Sequence, residues 1–127
     1  TVLAGSRALS AALQAYARGA CLAGASAGAM VLCERLWTAR GPMDGLGVVL
    51  GAAVLPHFAP GRARGWRSAV DPDGALAWIG LEERTLVIGR PGGGDWRVAG
   101  AGRAWLLPAS THGPYIAAGR IWTAAAG

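Results

Sequence analysis

The apolar positions change their period twice along the chain, which divides it into a helical front, a buried middle and a strand-rich end. Leu9, Leu13 and Tyr16 recur at helical spacing, with Ser6 placed to cap and Gly19 to stop. The pattern predicts a helix from Ser6 through about Arg18 that covers one sheet face. Ala20 to Ala23 reads as a short buried strand, and the small-residue run from Ala27 to about Leu36 as a second helix. Helix, strand, tight turn, helix is the pattern of a parallel sheet. From Gly45 to Leu55 the chain is apolar and rich in Val and Gly, consistent with one or two interior strands ending at Pro56-His57-Phe58.

Beyond this middle the pattern shortens. Gly61 to Val70 is Arg-rich with room for a short helix, and Asp71-Pro72-Asp73-Gly74 is a strong turn signal. Leu76 to Leu81, Arg84 to Ile88, Trp96 to Ala99, Ala104 to Leu107 and Tyr115 to Ala118 are strand-like runs between Gly- and Pro-containing turns. They predict an antiparallel or mixed extension of the sheet. Arg90 to Asp95, with Pro91 and three consecutive glycines, reads as a hairpin loop. It is not a phosphate loop, because neither a Lys-Ser/Thr pair nor a helix follows. The expected fold class is therefore α/β, with a β-rich C-terminal extension.

Composition narrows the function classes. A chain of 127 residues suits a single domain, 1–127, without an internal repeat. Its net charge is +5, and all twelve basic residues are Arg. They are spread from Arg7 to Arg120 except for the group Arg62, Arg64 and Arg67, which argues against nucleic acid as a partner. No uncharged stretch reaches the roughly 20 apolar residues of a spanning helix, so no membrane association is expected and a cytoplasmic location is the default. Cys21 and Cys33 belong to no C-x-x-C pair and have no His at metal-ligand spacing. Buried reduced thiols, and no metal, are the expectation.

The candidate chemistry centres on Ser26, in the G-x-S-x-G run Gly24-Ala25-Ser26-Ala27-Gly28 between a strand-like and a helix-like segment. A sharp turn of this kind lifts a serine hydroxyl clear of the backbone, and small neighbours avoid collisions around it. The same five residues also suit a tight helix-packing turn. A nucleophilic serine needs a base, and the chain offers His57 and His112. His57 follows an apolar strand between a Pro and an aromatic, a setting that fixes its ring, whereas His112 sits in what reads as an exposed turn. The base in turn needs a carboxylate. Glu82 and Glu83 interrupt an apolar region, and of two adjacent strand residues one points inward. An inward carboxylate must be paired, which favours a functional role for one of the two, with surface pairing to Arg84 as the alternative. Asp44, Asp71 and Asp73 are explained by turns.

Three ordered segments carry a family resemblance: Gly24-Ala25-Ser26-Ala27-Gly28-Ala29, Pro56-His57-Phe58 with trailing arginines, and Gly80-Leu81-Glu82-Glu83-Arg84-Thr85. From about Ser6 to its C-terminus the chain resembles the serine peptidases of family S51, which include aspartyl dipeptidase and cyanophycinase and are related in fold to class I glutamine amidotransferases. The resemblance implies a flavodoxin-like, mainly parallel sheet flanked by helices. It implies Ser26 as nucleophile, His57 as base and Glu83 as the acid, in an order that decides against His112. It also implies the Ala27 amide as an oxyanion-hole donor. Arg64 and Arg67 would be substrate-binding residues, although the arginine spacing is shifted by about one residue from the family pattern. The implied substrates are short peptides or peptide-like amides with an aspartyl residue on the acyl side, and no cofactor is required.

One departure matters. Members of the family carry a Gly-Gly-containing loop upstream of the first helix, which supplies a second oxyanion donor. The present chain opens at Thr1 with helical sequence within a few residues, so the expectation is a domain lacking its N-terminal strands and that loop. Two other readings follow: a non-catalytic amidotransferase-like binding domain, and another acyl hydrolase such as an esterase. A homodimer is left open.

Overall fold

The computed structural model describes residues 5–59, 71–90, 95–110, 113–117 and 121–123, and these form a mixed α/β arrangement. Helix α1 runs Arg7–Ala17 behind Ser6, whose hydroxyl accepts the Leu9 N–H at 3.1 Å, and it ends before Gly19 at φ 101°. Local capping therefore decides both ends. The expected cover over a sheet face is not seen: Leu9, Leu13 and Tyr16 are half-buried and no residue of α1 is buried.

Residues 20–25 form no strand, contrary to the expectation for Ala20 to Ala23. A strand exists through its neighbour's hydrogen bonds, and no described strand pairs with this run. Helix α2 is short, Ala27–Leu32, and stops four residues before the expected end. Tertiary pairing overrides propensity at this point. Cys33 turns extended and forms a parallel bridge with Val49, and Arg35–Thr38 becomes strand β1, paired antiparallel with β2, Gly41–Asp44. The sequence pattern did not reveal this hairpin.

Strand β3, Ala52–Leu55, is the interior strand expected before Pro56, and it runs parallel to β4, Ala77–Leu81. Between them the expected turn is present: the Asp71 carboxylate accepts from Ala75 N, Leu76 N and the Trp78 indole, at 2.9, 3.0 and 3.2 Å. The chain then continues as β5, Thr85–Gly89, β6, Asp95–Gly100, β7, Arg103–Ser110, β8, Gly113–Ala117, and β9, Ile121–Thr123. One sheet has the order β3-β4-β7-β8, a second β5-β6-β9, and a third is the β1-β2 hairpin.

The mainly parallel sheet implied by the resemblance is not what the described residues form. Only β3 and β4 make a parallel ladder, and the other pairs are antiparallel. The connections explain two of these pairs: only residues 90–94 join β5 to β6 and only residues 111–112 join β7 to β8, too few for the crossover that a parallel neighbour requires. The β-rich extension is as expected. Strand β4 is buried on both faces. On one, Trp78 packs with Ala53, Leu55, Phe58, Leu76 and Trp105; on the other, Ile79 packs with Val98 and Ala104, with Val54, Leu81 and Val87 against them. The segment holding Arg62, Arg64 and Arg67, the turn with His112 and the glycine run 91–94 lie outside the described residues. Among the described residues no helix is long and apolar enough to cross a membrane.

Of the two thiols, Cys33 is buried as expected but Cys21 is exposed. Burial pushes the Cys33 thiol up from 9.0 to about 11, against a smaller lowering from a backbone hydrogen bond at Val54. A thiol held protonated is a poor nucleophile. Iodoacetamide at neutral pH should therefore alkylate Cys21 in the native protein and Cys33 only after denaturant is added, as read by peptide mass spectrometry. Simultaneous modification of both thiols in the native protein would contradict this burial.

Candidate active site

Three backbone segments meet beside the ends of β3 and β4. Ser26 sits at the entry to α2 with φ 51° and ψ −119°, a conformation that a side chain seldom adopts. The turn closes so tightly that a Cβ on Gly24 would stand 2.4 Å from the Gly28 carbonyl oxygen and 2.9 Å from the Ala29 nitrogen. Both are backbone atoms, so only glycine fits at this position. Gly28, the last residue of the G-x-S-x-G run, is not constrained in this way, since a Cβ there meets nothing within 4 Å.

His57 follows β3 and Pro56 at φ 54°, and the next residue ties it to the neighbouring strand. The Phe58 N–H donates to the Leu81 carbonyl at 2.8 Å, and the Phe58 ring lies over Gly80, whose hypothetical Cβ would fall 2.5 Å from it. Two of the sequence segments singled out above are thus parts of one packing unit. Glu83 lies in the turn after β4, followed by Arg84 at φ 53°. Among the described residues, Ser26, His57 and Arg84 are the non-glycine positions with positive φ. Each such conformation costs on the order of 1–3 kcal/mol, and such costs gather where function demands a particular geometry.

Side-chain geometry links these segments in one line. The Ser26 hydroxyl is 2.9 Å from His57 Nε2, and His57 Nδ1 is 2.5 Å from Glu83 Oε1. Because an ionised carboxylate only accepts, the neutral ring facing Glu83 carries its proton on Nδ1. The Nε2 lone pair then accepts from the Ser26 hydroxyl, which is the arrangement needed to remove a proton from serine. The His57 and Glu83 side chains are 55% and 71% exposed, so water competes for both and the pair contributes little to stability.

Glu82 points the other way. Its carboxylate accepts from the Trp105 indole at 2.8 Å and from Arg103 N at 3.0 Å, with Arg103 Nε at 3.3 Å. The inward acid of the pair is therefore engaged with β7, and the outward acid meets the imidazole. Glu83, the acid that the family resemblance implies, is the one beside the imidazole. Ala27, the next residue after Ser26, opens α2. Asp44 lies on β2 with Arg35 at 3.9 Å. Sequence reasoning did not anticipate the fit of Phe58 to Gly80, and its signal was the pairing of a bulky aromatic with a glycine in a buried strand.

A cavity of about 490 Å³ opens beside Ser26 and His57. Its walls are mostly apolar, including Leu50, Val54, Ile79, Leu86 and Trp96, with Glu82, Glu83 and Arg84 at one side. A second space of about 310 Å³ lies near Trp37, Phe58 and His57. His57 borders both.

In structure the chain is similar to a peptidase from an acI-B1 Actinobacterium, at 25% sequence identity and a TM-score of 0.59, over 77% of this chain and 43% of that one. The chain thus spans less than half the length of that peptidase. No family model and no curated protein matches it.

Proposed function

We propose that this chain carries the nucleophile, base and acid of a serine peptidase of the S51 kind. The observation that carries the reading is the continuous line from Ser26 Oγ through His57 to Glu83, built on backbone held at positive φ. The structural likeness to a peptidase supports it. Ser26 attacks an amide carbonyl carbon while His57 Nε2 takes the hydroxyl proton. His57 then gives that proton to the leaving amine, and an acyl-enzyme remains on Ser26. A water molecule, deprotonated by His57, attacks the ester; the bond from the acyl carbon to Ser26 Oγ breaks, His57 returns the proton to Ser26 and the acid is released. Glu83 keeps Nδ1 protonated and stabilises the imidazolium in both steps.

The Ala27 amide, adjacent to the nucleophile, donates to the developing oxyanion, and such a donor contributes about 10²–10³ in rate. The substrates are short peptides or peptide-like amides. Arg64 and Arg67 from the resemblance, together with Arg84 on the cavity wall, are the cations available to an aspartyl side chain. The mechanism calls for no cofactor.

A fluorophosphonate probe on the full-length protein tests this reading. It should label wild type, fail on Ser26→Ala and label His57→Ala slowly, as read by intact mass. An unlabelled full-length wild type would leave a binding domain without catalysis. Labelling that persists in Ser26→Ala would place the nucleophile elsewhere.

A further inference from the structure

We propose that Glu82 is a positioning residue that holds the Glu83 carboxylate on His57, an inference that rests on the catalytic reading above. Glu83 is more exposed than His57, yet its oxygen lies 2.5 Å from the ring nitrogen. An exposed carboxylate on a free turn would populate several rotamers, so something must fix the backbone that carries it. The residue immediately before it is tethered at both backbone and side chain. Glu82 N donates to the Arg103 carbonyl at 3.2 Å. Its Oε1 accepts from the Trp105 indole and lies by Arg103 Nε, while its Oε2 accepts from Arg103 N.

On the far side of Glu83 the backbone is held by other elements, since β5 begins at Thr85 opposite Gly100 of β6. Thr85 Oγ1 donates to the Glu83 carbonyl at 3.1 Å, and Ala101 N to the Arg84 carbonyl at 2.9 Å. The two consecutive acids therefore divide the work: one anchors the turn to β7, and the other projects from it to the imidazole. Gly102 reflects the same tightness, since a Cβ there would stand 2.8 Å from Glu82 Oε2 and 2.4 Å from Thr85 Oγ1. The anchor needs a carboxylate specifically. A glutamine offers one oxygen and one NH₂, so one of the two N–H donors now served by separate oxygens would face another donor. Glu82→Gln keeps the size of the side chain and loosens the turn.

The test uses the full-length protein and reads the His57 tautomer by ¹H–¹⁵N correlation through the ring carbons, alongside fluorophosphonate labelling rate and melting temperature. Wild type should show the Nδ1–H tautomer, and Glu83→Gln should lose it. Glu82→Gln should show a mixture and label about 10- to 100-fold more slowly, in line with the cost of a misplacement of about 1 Å. Glu82→Asp, which keeps both oxygens, should restore part of each signal. If Glu82→Gln does not fold, Arg103→Ala removes the Nε contact from a half-exposed side chain and should shift the tautomer in the same direction. A lower melting temperature with tautomer and labelling unchanged would make Glu82 merely structural and overturn the proposal. A tautomer shift in a protein whose wild type never labels would keep the positioning role while the peptidase reading falls.

Discussion

Glu83→Gln should reduce peptide hydrolysis by the full-length protein about 10⁴-fold, while its melting temperature stays within a degree or two of wild type. The rate effect follows from the proton on the ring. Glu83 accepts at 2.5 Å from Nδ1, and an amide in its place can present an NH₂ group there instead. The ring then carries its proton on Nε2, facing Ser26, and cannot act as the base; a wrong tautomer of this kind costs about 10⁴ in kcat. The small effect on stability follows from exposure, since surface changes away from packing stay within about 0.5 kcal/mol. His57→Ala should cost as much or more, and the double variant no more than the worse single one, because groups that act as a unit are not additive. Steady-state kinetics on a short aspartyl peptide would decide it. Full activity in Glu83→Gln, with loss in Glu82→Gln, would reverse the roles assigned to the two acids.

The sequence shows the site more clearly than the sheet around it, and the reason is physical. The turn at Ser26 is a local event: a glycine that must approach backbone within 2.4 Å and a serine at φ 51° leave a mark within five residues. The same holds for α1, whose ends are set by Ser6 and Gly19. Strand pairing leaves no such mark. Arg35 to Thr38 overlaps the end of a helix-like run, and its partner contains Pro42, so neither half of the β1-β2 hairpin reads as a strand by itself. Parallel and antiparallel neighbours are likewise indistinguishable by composition, and the antiparallel pairing of β5 with β6 and of β7 with β8 comes from connection lengths. The Glu82-Glu83 pair illustrates the remaining gap. Period-two alternation gives one inward and one outward acid, but which one meets the imidazole depends on where β7 places Arg103 and Trp105.

Gly80→Ala should disable the site from beneath, without touching any of the three reacting side chains. Its Cβ would lie 2.5 to 2.8 Å from three atoms of the Phe58 ring, and that ring cannot simply withdraw. Phe58 is buried, tilted at 50° against Trp105 with centroids 5.9 Å apart, and tied through its N–H to the Leu81 carbonyl. Overpacking of this kind costs about 1–3 kcal/mol. Whatever movement relieves the clash displaces the residue next to Phe58, which is His57, and a shift of about 1 Å costs on the order of 10²-fold in rate. Urea unfolding and hydrolysis should therefore fall together in Gly80→Ala, and both should partly recover when Phe58→Leu is added. The two positions are in contact, so the recovery appears as a coupling energy in the double-mutant cycle. An alanine tolerated with unchanged stability and rate would separate the two motif segments. The glycine and the aromatic would then share a buried strand end without setting the distance between histidine and acid.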